Sequence, residues 1–155
     1  MVTFQLTVDC ADPARMVAFW GPALGYLPRP APDGFATWND YYLSLGVPAE
    51  ELDLDDETGG CDRLLDPAGE GPVIWFQPVP EAKQVKNRLH LDLYPGGGRS
   101  VPLEERMPAI LALLDTVLAA GAQVVHRTPE DDENPIPDRF CRVLVDPEGN
   151  EFCIS

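Results

Sequence analysis

Apolar and polar residues alternate along two stretches, one near the start and one in the middle of the chain. Residues 3–9 (TFQLTVD) place Phe4, Leu6 and Val8 on one side of an extended backbone, and residues 88–94 (RLHLDLY) repeat the pattern with three leucines. A period of two is typical of a strand with one buried face. We therefore predict two strands at corresponding places in two halves of the chain.

Each predicted strand is followed by a segment with helical spacing of apolar residues. Asp12 and Pro13 are a typical helix start and Gly25 a typical helix stop. The second helix is predicted over residues 103–120, before Gly121. We predict that the apolar face of each helix packs in the core.

Two apolar runs, each interrupted by Asp-Pro-x-Gly, predict two hairpins, one around residues 66–69 and one around residues 146–149. Simple pairing of the second hairpin would place Cys153 opposite Arg142. Residues 27–62 are rich in proline and acidic residues, which predicts an insertion of loops and a short helix. A strand (AQVVHR) and a polar loop over residues 129–138 precede the second hairpin.

The repeated order of elements predicts an α+β fold of two tandem βαβββ modules, residues 1–80 and 86–155, that form a single domain over residues 1–155. One such module leaves a face of its sheet uncovered. Two curved mixed sheets with polar faces form a cup, and a cup of this kind is a typical place for a small-molecule site.

The composition narrows the class of partner. The 155 residues include 11 basic and 26 acidic side chains, for a formal net charge of −15, which repels phosphate backbones and anionic lipids. No stretch approaches the roughly 20 apolar residues that span a bilayer. We expect a cytoplasmic protein that binds neither nucleic acid nor membranes, with its four cysteines reduced and no C-x-x-C zinc motif.

Three stretches of the sequence resemble the vicinal oxygen chelate superfamily, which contains glyoxalase-like and bleomycin-resistance-like proteins. They are residues 4–26, residues 71–93 and the closing DPEGNEFCIS. Within this superfamily, the sequence most resembles the actinobacterial glyoxalase-like subgroup. The resemblance implies the glyoxalase/bleomycin resistance/dioxygenase fold, a cup formed by paired sheets, and a homodimer.

The resemblance also implies positions for a divalent metal ion, with zinc, iron, nickel and manganese as candidates. Carried over to this chain, these positions are Gln5, His90 and Cys153, where Cys153 replaces the usual glutamate. Trp75 occupies the remaining position, and indole does not coordinate metals. We therefore do not expect the reaction of glyoxalase I.

The polar face of the fifth strand carries the candidate catalytic residues Arg88, His90 and Asp92, and Cys153 joins them from the last strand. Imidazole titrates near neutral pH and suits acid or base catalysis. A cation such as Arg142 would lower the pKa of the thiol and make it nucleophilic. The structural alternatives are a histidine bonded to a neighbouring strand and an inert, half-buried cysteine.

Polar and aromatic side chains predicted to line the cup indicate a flat organic ligand. Trp38, in the insertion, fits core packing equally well. The candidate ligand contacts are Gln5, Thr7, Trp38, Trp75, Gln77 and Arg142.

Two functions follow from these predictions. The first is an enzyme of the lyase, isomerase or dioxygenase type that acts on a small oxygenated metabolite, with His90 central. The alternative is a metal-free protein that sequesters an aromatic drug or natural product. The polar cluster around His90 favours the first, and Trp75 together with the degenerate metal positions favours the second.

Overall fold

The chain divides into two compact units, Met1–Ala82 and Lys83–Ser155. The computed structural model describes residues 2–130 and 140–155. Most of the polar loop predicted over residues 129–138 therefore lies outside the described residues. No helix in the described ranges is long and apolar enough to cross a membrane.

The first unit contains one mixed four-stranded sheet. Its strands run in the order β1-β4-β3-β2, with β1 parallel to β4 and the other neighbours antiparallel. The insertion between β2 and β3 contains a second helix and a 3₁₀ turn. The elements are β1 (Leu6–Cys10), α1 (Pro13–Leu24), β2 (Leu27–Pro28), α2 (Trp38–Ser44), the 3₁₀ turn (Ala49–Glu51), β3 (Arg63–Leu65) and β4 (Ile74–Pro78).

The second unit repeats this topology. Its strands run in the order β5-β8-β7-β6, and β5 is parallel to β8. The elements are β5 (Asp92–Leu93), a 3₁₀ turn (Gly98–Ser100), α3 (Leu103–Ala119), β6 (Gln123–Thr128), β7 (Cys141–Val145) and β8 (Glu151–Ile154). The predicted α+β fold of tandem βαβββ modules is confirmed.

Helix α1 begins and ends at the predicted residues. The Asp12 carboxylate accepts a hydrogen bond from the Arg15 amide (2.9 Å), and Pro13 is the first helical residue. Gly25 ends the helix with φ of 69°, a left-handed conformation that glycine adopts without strain. The buried face of the helix, which includes Phe19 and Trp20, packs against the sheet.

The pairing predicted between Cys153 and Arg142 is wrong. Cys153 pairs with Val143, and Arg142 pairs with Ile154. The turn contains three residues rather than two, because Asp146 bonds Asn150 (2.9 Å) and Gly149 takes the left-handed conformation typical of such loops. One extra residue in the turn shifts the register by one, so each side chain of β8 lies on the opposite face relative to β7 from the one predicted.

Strand β5 is shorter than the strand predicted from residue 88. Its ladder with β8 consists of Asp92 and Leu93, and the Cys153 and Ser155 amides donate to Leu91 (2.8 Å) and Leu93 (3.1 Å). His90 lies just before the strand, on irregular backbone.

Candidate functional site

In the second unit, the side chains of Asp92 and Cys153 both approach the Nε2 atom of His90. The Nε2 atom of His90 lies 3.2 Å from Asp92 Oδ1 and 3.8 Å from Cys153 Sγ. Asp92 and Cys153 are paired across β5 and β8, and His90 is two residues before Asp92. The three ligand atoms lie within 4.8 Å of one another, and we call this group the His90 cluster.

The His90 cluster is buried on one side and open on the other. Cys153 is 8% exposed, whereas the side chains of His90 and Asp92 are 39% and 48% exposed. The thiol therefore lies at the base of the cluster, while solvent reaches the imidazole and the carboxylate.

The environment of Cys153 keeps its thiol protonated. Burial, followed by interactions with Cys141 and Asp92, raises the pKa of Cys153 to about 12. The lowering expected from Arg142 does not occur, because Arg142 lies on the opposite face of β7 and its guanidinium donates to the Thr128 and Cys141 carbonyls at 3.2 and 3.0 Å. At neutral pH the thiol is therefore a poor nucleophile, and a bound metal would have to displace its proton.

Arg88 does not join the His90 cluster. Its side chain is exposed, and among the described residues no hydrogen bond or ion pair links it to the other three candidates. Of the four candidate catalytic residues, the structure therefore brings three together and leaves Arg88 apart.

The His90 cluster fits a divalent metal in its donor chemistry. Ligand atoms of a tetrahedral zinc site lie about 3.3–3.8 Å apart, close to the two distances from His90 Nε2. A thiolate and an imidazole favour zinc over manganese or magnesium. Asp92 was not among the predicted ligands, although its two-residue spacing from His90 indicates that both side chains share a face. Three protein ligands with a fourth position open are typical of catalytic zinc.

Glu151 anchors the segment before His90, and sequence reasoning missed it. Its Oε2 atom accepts a hydrogen bond from the Asn87 amide (3.0 Å) and pairs with Lys83 Nζ (3.1 Å). The Asn87 bond first, and Lys83 after it, lower the pKa of Glu151 to about 2. The signal in the sequence is its spacing of two residues from Cys153 on β8.

Glu151→Gln is expected to flatten the dependence of stability on pH between 4.5 and 2. The carboxylate has a lower pKa in the folded chain than its ordinary 4.5, so its stabilisation is present above pH 4.5 and is lost as the pH falls towards 2. The shift corresponds to at most about 3 kcal/mol, which solvent screening reduces to about 1–2 kcal/mol. Urea unfolding across this pH range measures the difference from wild type. The exposed Glu70→Gln should behave like wild type, and equal profiles for both variants would contradict the prediction.

The first unit presents four of the six predicted ligand contacts on one face of its sheet. Trp75 and Gln77 alternate on β4 with the buried Ile74 and Phe76, and Thr7 pairs with Trp75 across β1. Gln5 lies just before β1 and donates to the Thr7 hydroxyl (3.5 Å). Their shared face is as predicted, and their role in binding stays a prediction.

Arg63 lies between two indole rings of the first unit. Its guanidinium is 4.5 Å from the ring centre of Trp38 and 5.0 Å from that of Trp75. Asp62 pairs with Arg63 and accepts hydrogen bonds from Tyr42 (2.8 Å) and Trp75 (2.7 Å). We call these five residues the Arg63 cluster. It attaches α2 to β3 and β4.

Trp38 is buried within the Arg63 cluster. It is 6% exposed and donates its indole N–H to the Arg29 carbonyl (2.8 Å). The structure therefore places it in the packing of the insertion, one of the two roles that the sequence left open.

A cavity of about 470 Å³ lies in the first unit, beside the start of α1 and the insertion. Its size is in the range of small-ligand sites. Its lining includes Asp12, Glu51, Asp53, Asp56 and Asp62. These carboxylates repel anions from this part of the surface.

Comparisons with known proteins identify the family. Residues 5–155 match the model of the glyoxalase-like domain. A glyoxalase/bleomycin resistance protein/dioxygenase family enzyme from Burkholderia phytofirmans PsJN is 18% identical, with a TM-score of 0.50 over 97% of this chain and 94% of that one. A hypothetical protein from S. aureus is 12% identical, with a TM-score of 0.51 over 99% and 93%. No curated protein sequence matches the chain.

At these identities the two structures show a shared fold, and the family model covers nearly the whole chain. Both agree with the repeated βαβββ topology observed in the two units. The chain belongs to the glyoxalase-like domain family of the vicinal oxygen chelate superfamily.

Proposed function

We propose that this protein is a metal-dependent enzyme in which His90, Asp92 and Cys153 hold a divalent ion, preferably zinc. The observation that carries the proposal is the convergence of a carboxylate oxygen and a thiol on His90 Nε2. Iron and nickel also accept such donors, and manganese suits them least. Gln5 lies in the first unit, and its role as a ligand stays a prediction of the family resemblance.

The residues of the His90 cluster have distinct roles in this proposal. A bound ion would supply a Lewis acid that polarises an oxygen atom of the substrate. Asp92 would supply a carboxylate oxygen to the ion, beside the imidazole nitrogen of His90. Cys153 releases its proton when metal binds. A small oxygenated metabolite is the proposed substrate, in a reaction of the lyase or isomerase type with zinc; a reaction of the dioxygenase type would require iron, because zinc is redox-inert.

Elemental analysis of untagged protein, purified without a chelator, tests the proposal. We expect about one zinc per chain, lost in Cys153→Ser and retained in Cys61→Ser, since Cys61 is a buried thiol of the first unit. Wild-type protein that contains no metal and takes up none from added zinc would overturn the metal-dependent function.

Metal-free binding of an aromatic ligand is the second candidate function. The observation in its favour is the indole of Trp75, which lies on a sheet face with Gln77 and Thr7. Its test is quenching of tryptophan fluorescence by flat aromatic compounds in metal-free protein, with loss of quenching in Trp75→Leu. A homodimer stays a prediction of the family resemblance, and a cytoplasmic location stays a prediction from the composition.

A further inference from the structure

The backbone that carries His90 has no regular structure of its own. Residues 79–91 contain no helix or strand, and β5 begins only at Asp92. An imidazole on such a segment keeps its position only if the segment is attached to the sheet.

Glu151 provides that attachment on the N-terminal side of His90, and on the C-terminal side the Leu91 carbonyl accepts a hydrogen bond from the Cys153 amide (2.8 Å). Its Oε2 atom bonds the Asn87 amide at 3.0 Å and Lys83 Nζ at 3.1 Å, and Lys83 also donates to the Val85 carbonyl at 2.8 Å. Among the described residues, these two contacts with Glu151 are the hydrogen bonds and ion pairs that join residues 83–89 to β8.

The anchor and the metal site belong to the same strand. Glu151 is two residues before Cys153 on β8, so both side chains lie on the same face of the sheet. Asn87 is three residues before His90, a length of chain that spans at most about 11 Å. Fixing Asn87 to Glu151 therefore restricts where the imidazole of His90 can lie relative to the Cys153 thiol.

We infer that Glu151 is a positioning residue that holds His90 in place for metal binding. The inference rests on the proposed function. Glu151 itself does not touch the metal in this scheme; it acts through the backbone of Asn87.

Zinc affinity, measured by competition with a chromophoric chelator, tests this role in a double-mutant cycle. Glu151→Ala should weaken zinc binding about 10- to 100-fold, the usual effect of losing an outer-shell partner. Glu151→Gln keeps an oxygen acceptor for the Asn87 amide and should recover most of the affinity. With His90→Ala already present, Glu151→Ala should change zinc affinity less than about twofold, since its effect passes through His90.

Equal losses in the two backgrounds would overturn the inference, because a general loss of structure does not depend on His90. If wild-type protein binds no zinc, the proposed function fails and the inference is decided on metal-free protein by NMR. Glu151→Ala should then shift the ring signals of His90, while Glu70→Gln leaves them unchanged. Ring signals that stay unchanged in Glu151→Ala would also overturn it.

Discussion

Replacing His90 with alanine is expected to weaken zinc binding by more than about 100-fold, since even outer-shell changes cost 10- to 100-fold. His90 Nε2 is the atom on which the other two ligands converge. Without the imidazole, the remaining ligands are the Asp92 carboxylate and the Cys153 thiol, and that thiol is protonated at neutral pH. Isothermal titration with zinc, together with activity on any substrate found, measures the loss.

His126→Ala is the matched control, because the chain has two histidines and His126 is exposed on β6. Its ring contacts the Thr128 hydroxyl at 3.2 Å. We expect wild-type zinc affinity in this control and unchanged thermal unfolding in both variants. Full zinc affinity in His90→Ala would remove His90 from the site.

Replacing Asp62 with alanine is expected to lower the free energy of unfolding by about 3 kcal/mol. The carboxylate is buried and accepts hydrogen bonds from Tyr42 and Trp75 while it pairs with Arg63. Its removal leaves a mostly buried guanidinium and two donors without their acceptor. Urea unfolding followed by tryptophan fluorescence measures the effect, because Trp75 and Trp38 report on the Arg63 cluster.

Asp55→Ala is the control for the loss of one negative charge. Asp55 is exposed in the same acidic segment, and removing it from a chain with a formal charge of −15 should not destabilise the fold. Asp62→Asn keeps the shape and one acceptor, and should lose about half as much stability as Asp62→Ala. Equal unfolding midpoints for Asp55→Ala and Asp62→Ala would contradict the role given to Asp62.

Local signals in the sequence were enough to predict the helices and the repeat of the fold. Asp12, Pro13 and Gly25 act within one turn of the residues they cap, so their effect does not depend on the rest of the chain. The two strand patterns also lie at corresponding places, as predicted. The strands begin later than the alternation does, at Leu6 and Asp92, and Phe4 and Leu89 remain 74% and 85% exposed.

The predicted proximity of Arg142 and Cys153 was wrong for an identifiable physical reason. A single left-handed residue, Gly149, lengthens the β7–β8 turn and moves Arg142 to the other face from Cys153. The choice between a two-residue and a three-residue turn is a small difference in local energy with a large effect on side-chain direction.

Contacts between distant parts of the chain were beyond sequence reasoning for a different reason. Glu151 and Asn87 are 64 residues apart, and Trp38 meets Arg63 only once the insertion has folded back onto β3. No local pattern marks such pairs. The sequence therefore predicted His90 and Cys153 as candidates but missed Glu151, which we propose as their support.

The four residues of β8 alternate between two roles, packing in the core and supporting the candidate metal site. Phe152 and Ile154 are buried in the core of the second unit, whereas on the other face Glu151 bonds the Asn87 amide and Cys153 contacts His90. Substitutions at positions 151 and 153 therefore act on the candidate metal site, while Phe152 and Ile154 continue to fill the core. The cysteine at 153, where the family resemblance implies a glutamate, is the kind of change that such a strand permits.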